Sequence, residues 1–320
     1  LLGAAAGLII TAFLLYVAIF MLLPWLDHTF IEVSLWSALL AWCKGSVYVL
    51  PLINEIGAWI WLTAALSIGN LLPTGVQINE DELKEYTAEL EFMFKNIGVD
   101  TWGVGDLDKV RSFLLENYAH AWDAYTRVIS VGVYFPAQVV DELMDGPSHT
   151  YHAFYDIVNA RLNNISLSVA NWLNAKGYLG FPVPASQRMG ADKSTAVFSH
   201  RLGAKLAGLG WIGKNSSVIN PKVGPRIRFI SILTDMPFKA NEPIKAACPP
   251  DCQICKTACP AGAIEGIAYN EKQPLTERFR FSLCTDYLWQ VRQSFGKEIC
   301  GKCIAACPFG RSKYVLSIHK

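Results

Sequence analysis

Cys248-Pro-Pro-Asp-Cys252-Gln-Ile-Cys255-Lys-Thr-Ala-Cys259-Pro260 and, further on, Cys284 and Cys300-Gly-Lys-Cys303-Ile-Ala-Ala-Cys307-Pro308 hold eight of the nine cysteines of this 320-residue chain. The ending C-x2-C-x3-C-P occurs in both groups. Spacing of this kind has a physical reading. A tight turn aims the first thiolates at one iron–sulfur cube. The three-residue step then starts a helix that carries the last cysteine to a second cube, and proline fixes the chain beyond it.

Bacterial two-cluster ferredoxins hold a pair of 4Fe–4S cubes with such a doubled motif. By the same logic Cys248, Cys252, Cys255 and Cys307 serve cluster one, while Cys259 crosses to join Cys284, Cys300 and Cys303 at cluster two. Two departures stand out. The first group opens C-x3-C rather than C-x2-C, and Cys284 lies sixteen residues before Cys300, so cluster two closes a long loop. Zinc ribbons pair two C-x2-C knuckles and lack the doubled x3-C-P ending, and a disulfide framework belongs to oxidising compartments. Two cubes are the expectation.

Outward from this segment the composition is uneven. Hydrophobic residues make up 52% of the chain and charged residues 17%, with a net charge of +1. That balance argues against a DNA partner held by a basic field, and gives little support to tRNA. Residues 1–73 carry almost no charge. Leu1 to Leu26 is an apolar run long enough to cross a hydrocarbon core of ~30 Å. Further apolar stretches follow from Val33 to Ile53, interrupted by Lys44, and from Gly57 to Pro73. Trp25, Trp36, Trp42, Trp59 and Trp61 suit interfacial belts. Cys43 stands alone and reads as a small apolar residue. Two or three transmembrane helices in a bilayer anchor over residues 1–75 are therefore expected.

From Thr74 the pattern becomes globular. An acidic start at Asn79-Glu80-Asp81-Glu82 opens a helix with Leu83, Tyr86, Leu90, Phe94 and Ile97 at helical spacing, which stops at Gly98. Asp100 to Gly105 reads as a strand, Leu107 to Tyr118 as a helix, and Arg127 to Phe135 as a buried strand. A long helix from His149 to Lys176 and a strand from Arg226 to Thr234 follow. The alternation predicts an α/β core over residues 76–240, followed by a two-cluster domain over 241–320. Gly208, Gly210 and Gly213 allow backbone to approach a ligand closely, yet they match neither a dinucleotide fingerprint nor a phosphate-binding Walker loop.

Ala207-Gly208-Leu209-Gly210-Trp211-Ile212-Gly213-Lys214-Asn215, Gly224-Pro225-Arg226, Leu233-Thr234-Asp235-Met236-Pro237 and the double cysteine motif, in this order, resemble the epoxyqueuosine reductases and the corrinoid reductive dehalogenases. The resemblance spans about residues 80–310. It implies a cobalamin-binding type of α/β core, with no protein ligand on cobalt and a corrin close to one of two 4Fe–4S clusters. The absence of a D-x-H-x-x-G box agrees with that. Gly208, Gly210, Gly213, Lys214, Asn215 and Asn220 match the stretch that lines the corrin in these families. Epoxyqueuosine reductases carry an aspartate before a Tyr-His pair at the head of the long helix, where this chain reads Ser148-His149-Thr150-Tyr151-His152. Dehalogenases instead use a tyrosine proton donor beside a cation. Tyr151 is the candidate donor, and Arg188 and Lys193 are candidate cations.

The expectation is a membrane-anchored, cobalamin-dependent iron–sulfur reductase. It would take electrons from a low-potential donor or a membrane redox partner and reduce a small molecule. A membrane-bound ferredoxin-type subunit without corrinoid and a tRNA-directed epoxyqueuosine reductase are the alternatives. Iron–sulfur domains are assembled in the cytosol and no twin-arginine motif is present, so the expected location of residues 80–320 is the cytoplasmic side.

Overall fold

Local signals set the helix that opens the globular part. In the computed structural model, which describes residues 78–117, 123–186, 196–271 and 273–311, α1 spans Glu80–Asn96. The Asn79 side chain caps it by accepting from the Glu82 amide at 2.8 Å. Glu80, Asp81 and Glu82 sit in the first turn, where the helix dipole favours negative charge. The chain leaves through Gly98 at φ +65°, a conformation that costs other residues energy.

β1 (Thr101–Asp106), a short 3-10 turn and α2 (Arg111–Asn117) come next. The single helix expected from Leu107 is thus broken at its start. β2 (Arg127–Tyr134) leads to α3 (Ala137–Asp141) and the 27-residue α4 (His149–Ala175). Ser148 caps α4 by accepting from the Tyr151 amide at 3.1 Å. β3 (Gly180–Pro182), α5 (His200–Leu206), the β4–β5 pair (Trp211–Ile212 with Val218–Ile219) and β6 (Ile227–Thr234) complete the core.

The main sheet runs β1-β2-β6-β3, and every pairing in it is antiparallel. Helix–strand alternation in the sequence announces mixed architecture without fixing strand direction. Side chains alternate across β2 and β6 with period two. Ile129, Val131, Ile230 and Ile232 face α1 and α4, meeting Leu90, Phe94, Leu162 and Leu173. On the other face Val128 and Leu233 meet Leu202 and Leu206 of α5. Ile157, expected in the α4 core stripe, is 64% exposed.

The cysteine-bearing segment adds α6 (Ile254–Ala258), α7 (Leu275–Arg278), α8 (Phe281–Phe295) and α9 (Lys302–Ala305). From Ile78 onward the chain forms one compact unit. The expected spans within residues 1–75 lie outside the described residues. Among the described residues no helix is long and apolar enough to cross a membrane.

A polar tie joins the start of α5 to β6. His200 makes hydrogen bonds to the Ser231 hydroxyl through Nδ1 (3.0 Å) and to the Pro184 carbonyl through Nε2 (3.1 Å). Burial pushes its pKa down from 6.5 to about 4; the Pro184 bond pulls upward, and the nearby Arg228 charge again downward. The unfolded chain therefore binds a proton here that the folded one refuses, and the contribution to stability is lost as pH falls from 6.5 towards 4. Denaturant unfolding of His200→Asn should show a shallower loss of stability across this window than the parent does.

Candidate metal centre and active site

Among the eight cysteines, electrostatic neighbours fall into two groups. The thiols close enough to raise the pKa of Cys255 are Cys252 and Cys248, and those acting on Cys307 are Cys248 and Cys255. Cys303 has Cys300, Cys259 and Cys284 as its first sulfur neighbours, with Cys255 of the other set beyond them. Cys248, Cys252, Cys255 and Cys307 line one pocket together with Lys214, Asn215 and Phe309. The crossover arises because α6 ends at Ala258 and delivers Cys259 away from the three cysteines before it.

Burial, with the neighbouring thiols, pushes Cys255 up to about 11 and Cys307 up to about 12, and raises Cys300 and Cys303 as well. Backbone N–H groups of Lys256, Gly301, Lys302 and Phe309 oppose this by pointing at the sulfurs. The Ala263 amide donates to Cys259 Sγ at 3.4 Å. Thiols held so high stay protonated until a cation displaces the proton. The donor set fits iron–sulfur cores, which supply that charge. Among the described residues no three His, Cys, Asp or Glu side chains are placed to share a single metal ion. The eight are free of disulfides.

Two buried cations hold these loops to the core. Lys214, 5% exposed, donates to the carbonyls of Pro249 (3.0 Å), Pro250 (2.7 Å) and Cys252 (3.0 Å). Arg226, 1% exposed, donates to Phe309 O (3.1 Å), Ala305 O (3.2 Å) and the Asp141 carboxylate (2.8 Å). Beside it Gly224, at φ +61°, lets the chain pass so near Phe309 that a Cβ would come within 2.0 Å of its carbonyl oxygen.

The six residues expected to line a corrin are spent on the protein itself. A Cβ on Gly208 would meet the Glu242 carbonyl at 2.7 Å, one on Gly210 the Ile219 carbonyl at 2.4 Å, and one on Gly213 the Ile219 side chain at 2.7 Å. Asn215 donates to Cys303 O at 3.2 Å and accepts from the Ser217 amide at 3.0 Å. Asn220 donates to Leu209 O at 2.8 Å and accepts from the Lys222 and Val223 amides. With Lys214 they brace the β4–β5 turn and the cysteine loops. On the side where a Cβ would stand, the three glycines are thus closed by Glu242 and Ile219.

Tyr151 lies at the head of α4, 6% exposed and stacked on Phe135 with ring centroids 5.3 Å apart. Burial pushes its phenol up to about 12; Arg228 pulls it down, while Tyr155, Cys303 and Cys300 push it up. Of the charges that act on the Tyr151 phenol, Arg228 is the one that favours its ionised form. The expected cations Arg188 and Lys193 lie outside the described residues. Arg228 escaped the sequence reading, although a charged residue inside an apolar strand is a signal. Its guanidinium lies 4.3 Å from the Tyr155 ring and donates to Tyr155 Oη (3.0 Å), Asn159 Oδ1 (3.3 Å) and Ser186 Oγ. Thr150 is exposed, and His149 stacks on Phe295 at 4.1 Å.

No family model matches the chain. It is 32% identical over 127 residues to the epoxyqueuosine reductase of Staphylococcus aureus, covering 37% of this chain and 31% of that protein. It is 28% identical over 144 residues to the tetrachloroethene reductive dehalogenase of Sulfurospirillum multivorans, covering 41% of this chain and 26% of the other. The chain spans under a third of the length of these curated relatives. A reductive dehalogenase structure described as suggesting a mechanism for B12-dependent dehalogenation aligns with TM-score 0.59 at 17% identity, over 77% of this chain and 35% of that one. An epoxyqueuosine reductase bound to a tRNA stem loop aligns with TM-score 0.49 at 20% identity, over 72% of this chain and 67% of that one.

Lys214→Met should strip three carbonyls of their shared donor, at roughly 1–3 kcal/mol for each one left buried and unbonded. Under anaerobic purification its iron content should fall towards half that of the parent, with the set around Cys303 keeping its spectroscopic signature. Similarity in sequence thus runs to epoxyqueuosine reductases and reductive dehalogenases alike, and the fold of the described residues is similar to that of part of a reductive dehalogenase.

Proposed function

We propose that this chain is an iron–sulfur reductase of the corrinoid type, reductive dehalogenase-like in its active site. Two 4Fe–4S clusters would carry electrons through it: Cys248, Cys252, Cys255 and Cys307 hold one, and Cys259, Cys284, Cys300 and Cys303 the other. Exposure of Ile254 (46%), next to Cys255 in the chain, supports approach of a low-potential donor from this side. Cys255 and Cys303 are electrostatic neighbours, so the sets adjoin. Residues 1–75 tether the protein to the bilayer, with the globular part on the cytoplasmic side.

What supports this reading is the buried phenol of Tyr151, on which the charges of Arg228, Cys303 and Cys300 all act. A phenol held near 12 keeps its proton at neutral pH. It can pass that proton from Oη to a carbanion-like centre on a small substrate, and Arg228 stabilises the phenolate left behind. Replacement of the acid by Thr150 at the helix head disfavours a tRNA-directed epoxyqueuosine reductase. The corrinoid in this reading, whose chemistry would be reduction through a low-valent cobalt, rests on the similarity alone. The closed glycine-rich stretch favours, as the second reading, a membrane-bound electron-transfer subunit without corrinoid.

Anaerobic purification with iron and cobalt analysis separates the two. The first reading expects about eight irons together with cobalt and a corrin absorption band; iron without cobalt leaves the second. With reduced viologen as donor and an organohalide as substrate, Tyr151→Phe should lower turnover by about 10²-fold or more while iron content stays unchanged. Turnover equal to the parent's would remove Tyr151 from the chemistry.

A further inference from the structure

An open cleft of about 710 Å³ lies along α6. Lys256 and Thr257 of that helix line it, with Gln253 just before them, Gly262 and residues 264–267 after them, and Arg280 ahead of α8. Ile264 is buried, whereas Ile267 is exposed. The Arg280 guanidinium bonds Glu265 Oε1 at 2.6 Å and donates to the Gly262 carbonyl at 3.3 Å. Lys256 Nζ stands 4.0 Å from Glu265 Oε2, beyond hydrogen-bond range. Among the lining residues, two half-exposed cations thus face one carboxylate that Arg280 already holds.

The cleft backs on cysteine ligands. Ala263, between the lining residues Gly262 and Ile264, donates its amide to Cys259 Sγ at 3.4 Å. The Arg280 carbonyl accepts from the Cys284 amide at 3.4 Å. Lys256 and Thr257 stand between Cys255 of one set and Cys259 of the other. A carrier seated here would therefore come as near the sulfurs as the backbone allows, and electron transfer needs closeness without a bond. Half-exposed cations in an open cleft cannot take a small anion out of water, whereas a protein surface brings its own cover. The exposed Ile254 and Ile267 supply apolar contact for such a surface. With a net charge of only +1 on the whole chain, attraction of a partner falls to local charge placement.

We infer that this cleft is the docking site of a small acidic electron-carrier protein, with Lys256 and Arg280 meeting its surface carboxylates. One electron passes per encounter: the carrier is oxidised by one electron, an iron–sulfur centre is reduced by one, and no bond forms or breaks. The inference rests on the cysteine sets carrying electrons, which both readings above share, and it names the donor's class and seat. Encounters of this kind use small interfaces and depend on charge for their rate.

The test uses the full, cluster-loaded chain under anaerobic conditions with an acidic flavodoxin as carrier. Its oxidised form is titrated calorimetrically for Kd, and its hydroquinone is mixed by stopped flow while flavin oxidation is followed. Both affinity and rate should fall as salt rises. Lys256→Glu should lower each by about 5- to 10-fold, because an attraction becomes a repulsion. Lys84→Glu on α1, an equal change in net charge, should leave both within about twofold. Reduction by the methyl viologen radical, a small cation that needs no acidic docking, should not slow in either variant. Failure of viologen to reduce the parent overturns the reading of the cysteine sets as electron carriers. Reduction by viologen but not by flavodoxin overturns the acidic partner alone. A flavodoxin rate that ignores salt, or that Lys84→Glu lowers as much as Lys256→Glu does, overturns the cleft as its seat. Should Lys256→Glu lose iron, Lys256→Gln replaces it, with a several-fold loss expected and unchanged Kd and rate counting against the site.

Discussion

The arrangement depends on burying two cations against backbone carbonyls. Lys214 and Arg226 are almost wholly out of water, and between them they bind five carbonyl oxygens of the cysteine-bearing segment. Charge buried to this degree is tolerated only when its hydrogen bonds are satisfied. The cost therefore enforces geometry: the loops carrying Cys248 to Cys255 and Cys303 to Cys307 must return to the β4–β5 turn and to β6. Gly224 and Gly310 complete the contact, because each would drive a Cβ to within 2.0 Å of a carbonyl oxygen on the opposite strand of chain. The segment is held from the core side before any cofactor is considered.

That clamp also explains why the glycine-rich stretch differs from its expected role. Glycine permits close approach of backbone, and sequence does not say what approaches. Here it is Glu242 and Ile219 rather than a macrocycle. Lys214, Asn215 and Asn220 are polar for a reason that is equally internal, namely the satisfaction of turn and loop carbonyls. Of these residues, Lys214 and Asn215 bond carbonyls of the cysteine-bearing segment.

Electrostatics divides the two sets by what surrounds them. Cys307 has Arg226 close enough to lower its pKa, and shares its pocket with Lys214. Cys300 and Cys303 have the neutral phenol of Tyr151 as a neighbour, with Arg228 behind it. A cluster near buried cations is easier to reduce than one facing apolar groups, since positive charge stabilises added electrons. The protein thus places its strongest fixed charges at one set and its proton-bearing side chain at the other.

Much of this was written in local sequence. The capping Asn79 and Ser148, the apolar period of α1 and α4, the stop at Gly98 and the C-x2-C-x3-C-P repeats are short-range signals, and the helices and cysteine sets follow from them. The cysteine spacing carries an expected partition, because a helix turn has fixed geometry. Three features required the folded chain: the antiparallel order of the sheet, the service of Arg226 and Lys214 to residues between 35 and 83 positions away, and the meeting of Tyr151 with Arg228. The physical reason is range. Periodicity and capping report what a residue does to its neighbours along the chain, whereas the partner of a buried charge is whatever the packing of distant segments brings to it.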